Sequence, residues 1–145
     1  MILLSITVLV GCRGEEVEGE VVTLTMNAKR QNDDLTINGT TNLGDGALLF
    51  YCIEEPFEDP DEVDWQNFYI REDVIKVKNG EYIVTVSDVP KIELKVSVAF
   101  QTILTTEIHQ PDWIIEKYGI NGENLTGDNV TGDFLKRIEV MKVIN

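Results

Sequence analysis

Seven carboxylates crowd into eleven residues: EEPFEDPDEVD, residues 54–64, holds Glu54, Glu55, Glu58, Asp59, Asp61, Glu62 and Asp64. Such a cluster suits a hard cation, because Ca2+ takes six to eight oxygen ligands and a loop between strands can wrap one. The spacing departs from an EF-hand, with no glycine at the required turn and no glutamate closing the loop; Pro56 and Pro60 stiffen it instead. A solvated charged loop is therefore the first reading, and a Ca2+ site at Glu58, Asp59, Asp61 and Asp64 the second. The stretch with Glu123, Asp128 and Asp133 is sparser. His109 is the only histidine, so His-based metal centres and most nucleophile–base pairs lack a partner. Cys52, inside ALLFYCI, reads as a buried, inert thiol. Carboxylates are abundant, but no pair of them is placed by the sequence as a glycosidase requires. No set of catalytic roles can be named, and the expectation is a domain that is not an enzyme and carries no cofactor. Phe57, Trp65 and Trp113 suit either a binding patch or the core.

The remaining thiol, Cys12, ends an apolar run. MILLSITVLV carries no charge, and the first charged residue is Arg13. As a helix the run would rise about 15 Å, about half the hydrocarbon core of a bilayer, which is too short to span it. Its length fits the apolar region of a signal peptide. Leu9-Val10-Gly11-Cys12 resembles the lipobox of bacterial lipoproteins. The resemblance implies a diacylglycerol joined to Cys12 by a thioether, cleavage just before that cysteine, and a lipid anchor on the extracytoplasmic face of the cell membrane. Signal peptides open with a positively charged region, and none stands here. The expected division is a truncated signal peptide over 1–11, a lipidated tether over 12–20, and one folded domain over 21–145. CRGEEVEGE, the whole of that tether, is rich in Gly and Glu and reads as a flexible spacer.

Composition supports a single folded domain: 145 residues, 43% hydrophobic and 26% charged, enough for a hydrophobic core. Twelve basic against 26 acidic residues give a net charge of −14. That field repels phosphate backbones and anionic lipid surfaces, so nucleic acid is excluded as a partner. The three N-x-T sequons, at Asn38, Asn124 and Asn129, are incidental beside a bacterial lipobox.

The elements that must position these residues are strands. EVVTLTMNA alternates Val22, Leu24 and Met26 with more polar neighbours, and DLTINGTT repeats the pattern through Leu35 and Ile37. GALLFYCI is apolar on both parities, as a central strand covered on both faces would be. QNFYI is a shorter candidate. IKVKNGEYIVTVS predicts a hairpin with a type I′ turn at Asn79-Gly80, pairing Lys78 with Glu81, Val77 with Tyr82, and Ile75 with Val84. KIELKVSVAFQTILTTEI places Ile92, Leu94, Val96, Val98 and Phe100 on one parity, a long half-buried strand. LKRIEVMKVI supplies a last strand. QPDWIIEKYG predicts one short helix, with Pro111 at its first position and Gly119 just beyond its end. It would pack through Ile114, Ile115 and Tyr118. NGENLTGDNVTGD reads as a loop.

Seven or eight short strands and one short helix predict an all-β sandwich. GTTNLGDGALLFY resembles a strand–turn–strand segment of the GxTNLPDG type, seen in immunoglobulin-like domains of bacterial lipoproteins of uncharacterised function. The resemblance covers Asn38 to Tyr51, with Gly44 where that pattern tends to have proline. It implies an immunoglobulin-like β-sandwich, here without the disulfide core of antibody domains. The functional expectation is a lipid-anchored binding domain at the cell envelope, with a protein or peptide partner. A Ca2+-binding structural or adhesive domain is the alternative, and a small hydrolase a more distant one.

Overall fold

Side-chain alternation along the strands builds two facing antiparallel sheets. The computed structural model describes residues 20–56, 69–127 and 129–145. In chain order the elements are β1 (Glu20–Val21), β2 (Asn27–Gln31), β3 (Asp34–Thr40), β4 (Leu48–Glu54), β5 (Tyr69–Lys76), β6 (Glu81–Val86), β7 (Leu94–Gln101), helix α1 (Asp112–Tyr118), β8 (Leu125–Thr126), β9 (Val130–Thr131) and β10 (Arg137–Ile144). Three of these strands have two residues each, which leaves seven longer ones among the described residues. One sheet runs β2-β3-β6 and the other β5-β4-β7-β10-β9; β1 and β8 form a small parallel pair. Lettered from β2 in chain order, the longer strands stand as A-B-E and C′-C-F-G, the immunoglobulin-like arrangement of a β-sandwich.

Period-two patterning accounts for the core. Leu35 and Ile37 of β3, Leu49 and Ile53 of β4, and Leu94, Val96, Val98 and Phe100 of β7 are all fully buried between the sheets. Each such side chain contributes about 1.5–3 kcal/mol by leaving water. β7 lies centrally, paired with β4 on one side and with all eight residues of β10 on the other. The helix closes one side through Ile114 and Tyr118, with the Tyr118 ring edge-on to Phe100 at 5.4 Å between centroids. Ile115 is half-buried.

Several expectations are corrected. The hairpin turn is present: Asn79 and Gly80 take φ of 53° and 73°, and Lys78 and Glu81 exchange backbone hydrogen bonds. The strands on either side then part. β5 pairs with β4, and β6 pairs with β3, so Val77 does not pair with Tyr82, nor Ile75 with Val84. Each strand finds a longer ladder elsewhere, and the turn carries the chain from one sheet to the other. Val77 instead exchanges backbone hydrogen bonds with Gly46 and Ala47.

The first predicted strand is patterned as expected at Val22 and Leu24, which are buried, while Met26 is half-buried against the core. Its ladder is broken between β1 and β2, because the Asn42 side chain takes the place of a neighbouring backbone. Thr23 N–H donates to Asn42 Oδ1, and Asn42 Nδ2 donates to the Val21 carbonyl, both at 2.8 Å. β7 is covered on its second face as well, since Ser97 and Ala99 are buried, while Ile92 falls outside the strand and is exposed. The stretch read as a loop after the helix holds β8 and β9. Pro111 precedes the helix instead of opening it: its ψ of 144° is extended, and its carbonyl accepts from Ile114 N–H.

Candidate functional site

Alternation that points Leu49, Tyr51 and Ile53 inward sends Phe50, Cys52 and Glu54 to the outer face of the five-stranded sheet. Register sets their neighbours: Phe50 stands opposite Ala99, Cys52 opposite Ser97, and Glu54 opposite Lys95. On the other side of β7, Arg137, Glu139 and Met141 face Gln101, Ala99 and Ser97. Together these side chains line a trough of about 390 Å3. Cys52, Ser97 and Ala99 form a floor of small residues, and Phe50 and Met141 stand above it.

The charged groups of the trough are already engaged. Lys95 Nζ meets Glu54 Oε1 at 2.5 Å, and Arg137 meets Glu139 at 3.2 Å. Glu54 is only 7% exposed, so its carboxylate depends on Lys95 to offset lost hydration. Cys52 Sγ lies 3.7 Å from Glu54 Oε2. Burial first, and the charges of Glu54 and Glu72 after it, push the Cys52 thiol up to about 12. A thiol so placed is not a nucleophile at neutral pH, since the thiolate does the chemistry. The trough can receive a side chain or an extended backbone, and it holds no activated thiol.

Cys12 lies outside the described residues, as do Glu58, Asp59, Asp61 and Asp64, together with Phe57 and Trp65. Of the acidic run, Glu54 is a strand residue paired with Lys95, and Glu55 is exposed just beyond it. The structure thus separates Glu54 from the loop to which its sequence neighbours assign it. Among the described residues no group of three or more His, Cys, Asp or Glu side chains is arranged to hold a metal ion. Glu123 is held below the usual carboxylate range by backbone N–H groups, its own and that of Asn121 first. His109 is exposed, opposite Ile103 in an isolated bridge. Cys52 is free and buried, as its sequence context predicts. The Glu54–Lys95 pair has no signal in the sequence, because 41 residues separate partners that only the β4–β7 register brings together.

The GTTNLGDG segment proves to be a structural corner. A methyl group on Gly39 would overlap the Thr25 carbonyl and the Tyr82 hydroxyl, which donates to that carbonyl. Burial raises the Tyr82 hydroxyl above the ordinary tyrosine range. Asn42 clasps residues 21–23, Leu43 is buried, and Asp45 accepts from the Asn79 N–H at 2.6 Å. The half-buried Trp113 ring stands over Gly44, 3.0 Å from where a Cβ would be. Glycine there makes room for the indole, where a proline ring would press on it. The segment carries the chain from β3 in the smaller sheet to β4 in the larger one.

No family model, curated protein or solved structure matches the chain. What fold and site define is a class: an all-β sandwich with immunoglobulin-like strand order and a trough on the outer face of its larger sheet.

Proposed function

We propose that this protein is a lipid-anchored binding domain held at the extracytoplasmic face of the cell membrane, with a protein or peptide as its partner. The observation that carries the anchor is Leu9-Val10-Gly11-Cys12 at the end of an uncharged apolar run, followed by a Gly- and Glu-rich spacer. The first strand, β1, begins at Glu20, the last residue of that spacer. Lipidation with two or more acyl chains exceeds what a single chain provides for stable attachment. A net charge of −14 holds the domain away from an anionic surface while the anchor keeps it near.

Binding is favoured over catalysis by the state of the trough. Its thiol is pushed up to about 12, its charges are paired, and its floor is built of small side chains that an extended segment can approach. The anchor is tested by metabolic labelling with palmitate, using the chain placed behind a leader that supplies a basic start. The wild type should incorporate label and fractionate with membranes, and Cys12→Ser should do neither. Equal labelling of the two would overturn the anchor.

A further inference from the structure

A β-sheet edge presents unpaired backbone groups to any passing strand, and proteins guard such edges with charge, shortness or cover. The two sheets have four edges: β5, β9, β2 and β6. β5 carries Arg71, Glu72, Asp73 and Lys76; β9 has only two residues; β2 carries Lys29 and Arg30. β6 reads EYIVTV, uncharged from Tyr82 to Val86. Among the described residues it pairs with β3 alone. Ile83 points outward from it and is 66% exposed. Among the described residues nothing pairs with this edge, and beyond Glu81 the strand carries no charge.

The space beside it is shaped. Where β5 and β6 part beyond the Asn79-Gly80 turn lies a groove of about 630 Å3, lined by Lys76, Lys78, Glu81, Tyr82 and Ile83 and extending across the paired side of β6 to Asn38, Gly39 and Thr40 of β3. Lys76 and Lys78 form no ion pair with any described residue, and with Glu81 on the same lip the groove keeps one net positive charge. In a chain with 26 acidic and 12 basic residues, a locally positive groove is selective for a carboxylate. We propose that the open edge of β6 and the groove beside it take an extended segment of a partner protein as an added strand, with an acidic residue of that segment meeting Lys76 and Lys78. This deepens the binding-domain reading and rests on it. Backbone hydrogen bonds to β6 would supply affinity, while Ile83 and the two lysines would select side chains. A second copy of this chain is disfavoured as the occupant, because pairing would bring two bodies of charge −14 together.

The probe is a short peptide of alternating Thr and Val ending in Glu, titrated into the isotope-labelled full chain while backbone amides are followed by NMR. Amides between Tyr82 and Val86 should shift saturably and gain protection from hydrogen exchange. A peptide ending in Lys should bind about fivefold more weakly, the scale of one or two exposed ion pairs. A central Pro should abolish binding. Lys76→Glu with Lys78→Glu should reverse the preference between the Glu and Lys peptides. Thr85→Glu, an exposed change that sets a negative charge on the edge, should weaken binding of the Glu peptide, at no cost to the fold beyond the Thr36–Thr85 hydroxyl contact. Unshifted β6 amides, or equal binding of the proline peptide, would overturn the inference. Shifts confined to Phe50, Ser97 and Met141 would overturn it too, while leaving the protein a binding domain. Protection of β6 that grows with protein concentration alone, alongside a dimer in sedimentation, would assign the edge to a second copy and so overturn the partner-strand reading.

Discussion

Gly39→Ala tests the closest approach in the smaller sheet. Gly39 lies opposite Tyr82 in the β3–β6 register, and an added methyl would overlap both the Thr25 carbonyl and the Tyr82 hydroxyl. The carbonyl belongs to backbone tied to Thr40 by a 2.9 Å hydrogen bond, so relief requires moving a strand segment as well as a side chain. Overpacking of this kind costs about 1–3 kcal/mol. Displacing the Tyr82 hydroxyl from the Thr25 carbonyl adds about 1 kcal/mol for a hydrogen bond lost in a half-dry setting. The sum is about 2–4 kcal/mol, a fall in Tm of about 10 °C for a domain of this size. Tyr82→Phe alone removes only the hydrogen bond and should cost about 1 kcal/mol. In that background Gly39→Ala should cost only a little less than it does alone, because the hydroxyl is gone but the Thr25 carbonyl and the ring carbon Cζ, 2.7 Å from the added methyl, remain; neighbours that share a contact are not additive. Thermal melts followed by circular dichroism measure all four proteins, and urea titrations with unchanged slope confirm that stability is being compared. A Gly39→Ala protein melting within about a degree of wild type would refute the β3–β6 register and the corner built on it.

Gly80→Val forces a β-branched residue into a φ of 73° and should cost about 1–3 kcal/mol in chemical denaturation; no change would mean the turn is not type I′. Lys95→Met leaves the Glu54 carboxylate buried without its cation and should destabilise by about 2 kcal/mol, below the range for fully buried pairs because Lys95 is partly exposed; double substitution with Glu54→Gln should recover part of that loss. In the full chain carrying Cys12→Ser, Cys52 should react slowly with a thiol reagent until denaturant is added, then take up one equivalent; rapid native labelling would place it on the surface. The Cys52 thiol ionises near 12 when folded against 9 ordinarily, so between those values the unfolded chain binds fewer protons. Its contribution to stability is therefore full below pH 9 and is lost as pH rises from 9 toward 12. Cys52→Ala should lose about 1–2 kcal/mol at neutral pH for its cavity and decline less steeply above pH 9.

Burial was legible in the sequence wherever it follows strand periodicity. Val22, Leu24, Leu35, Ile37 and the four inward residues of β7 could be placed from alternation alone, because side-chain direction is a local property of an extended chain. Partnership was less legible. Asn79-Gly80 dictates its own turn, but which strands its arms join is decided by what β3 and β4 offer across the molecule. Cys52 shows the same division: its burial followed from an apolar run, whereas its place on the outer face came from register. Glu54 looked like the head of an acidic loop because sequence neighbours cannot reveal that Lys95 stands across a ladder. The open edge of β6 could not be seen until β5 was known to leave it.

The Asn42 clasp has a mechanical consequence. A tug on the N-terminal end of the sandwich, the direction from which an anchor at Cys12 would pull, enters at Glu20 and Val21. The first restraints it meets are the short β1–β8 pair and the two hydrogen bonds from one side-chain amide to Val21 and Thr23. These can be undone one at a time. β2 and β3 share five paired positions, and β3 and β6 six, so the ladders behind resist together. Tension thus spends itself on a few residues at the entry point and lets the chain before them lengthen by that much, while the sandwich behind, with its outer trough and its β6 edge, keeps its shape.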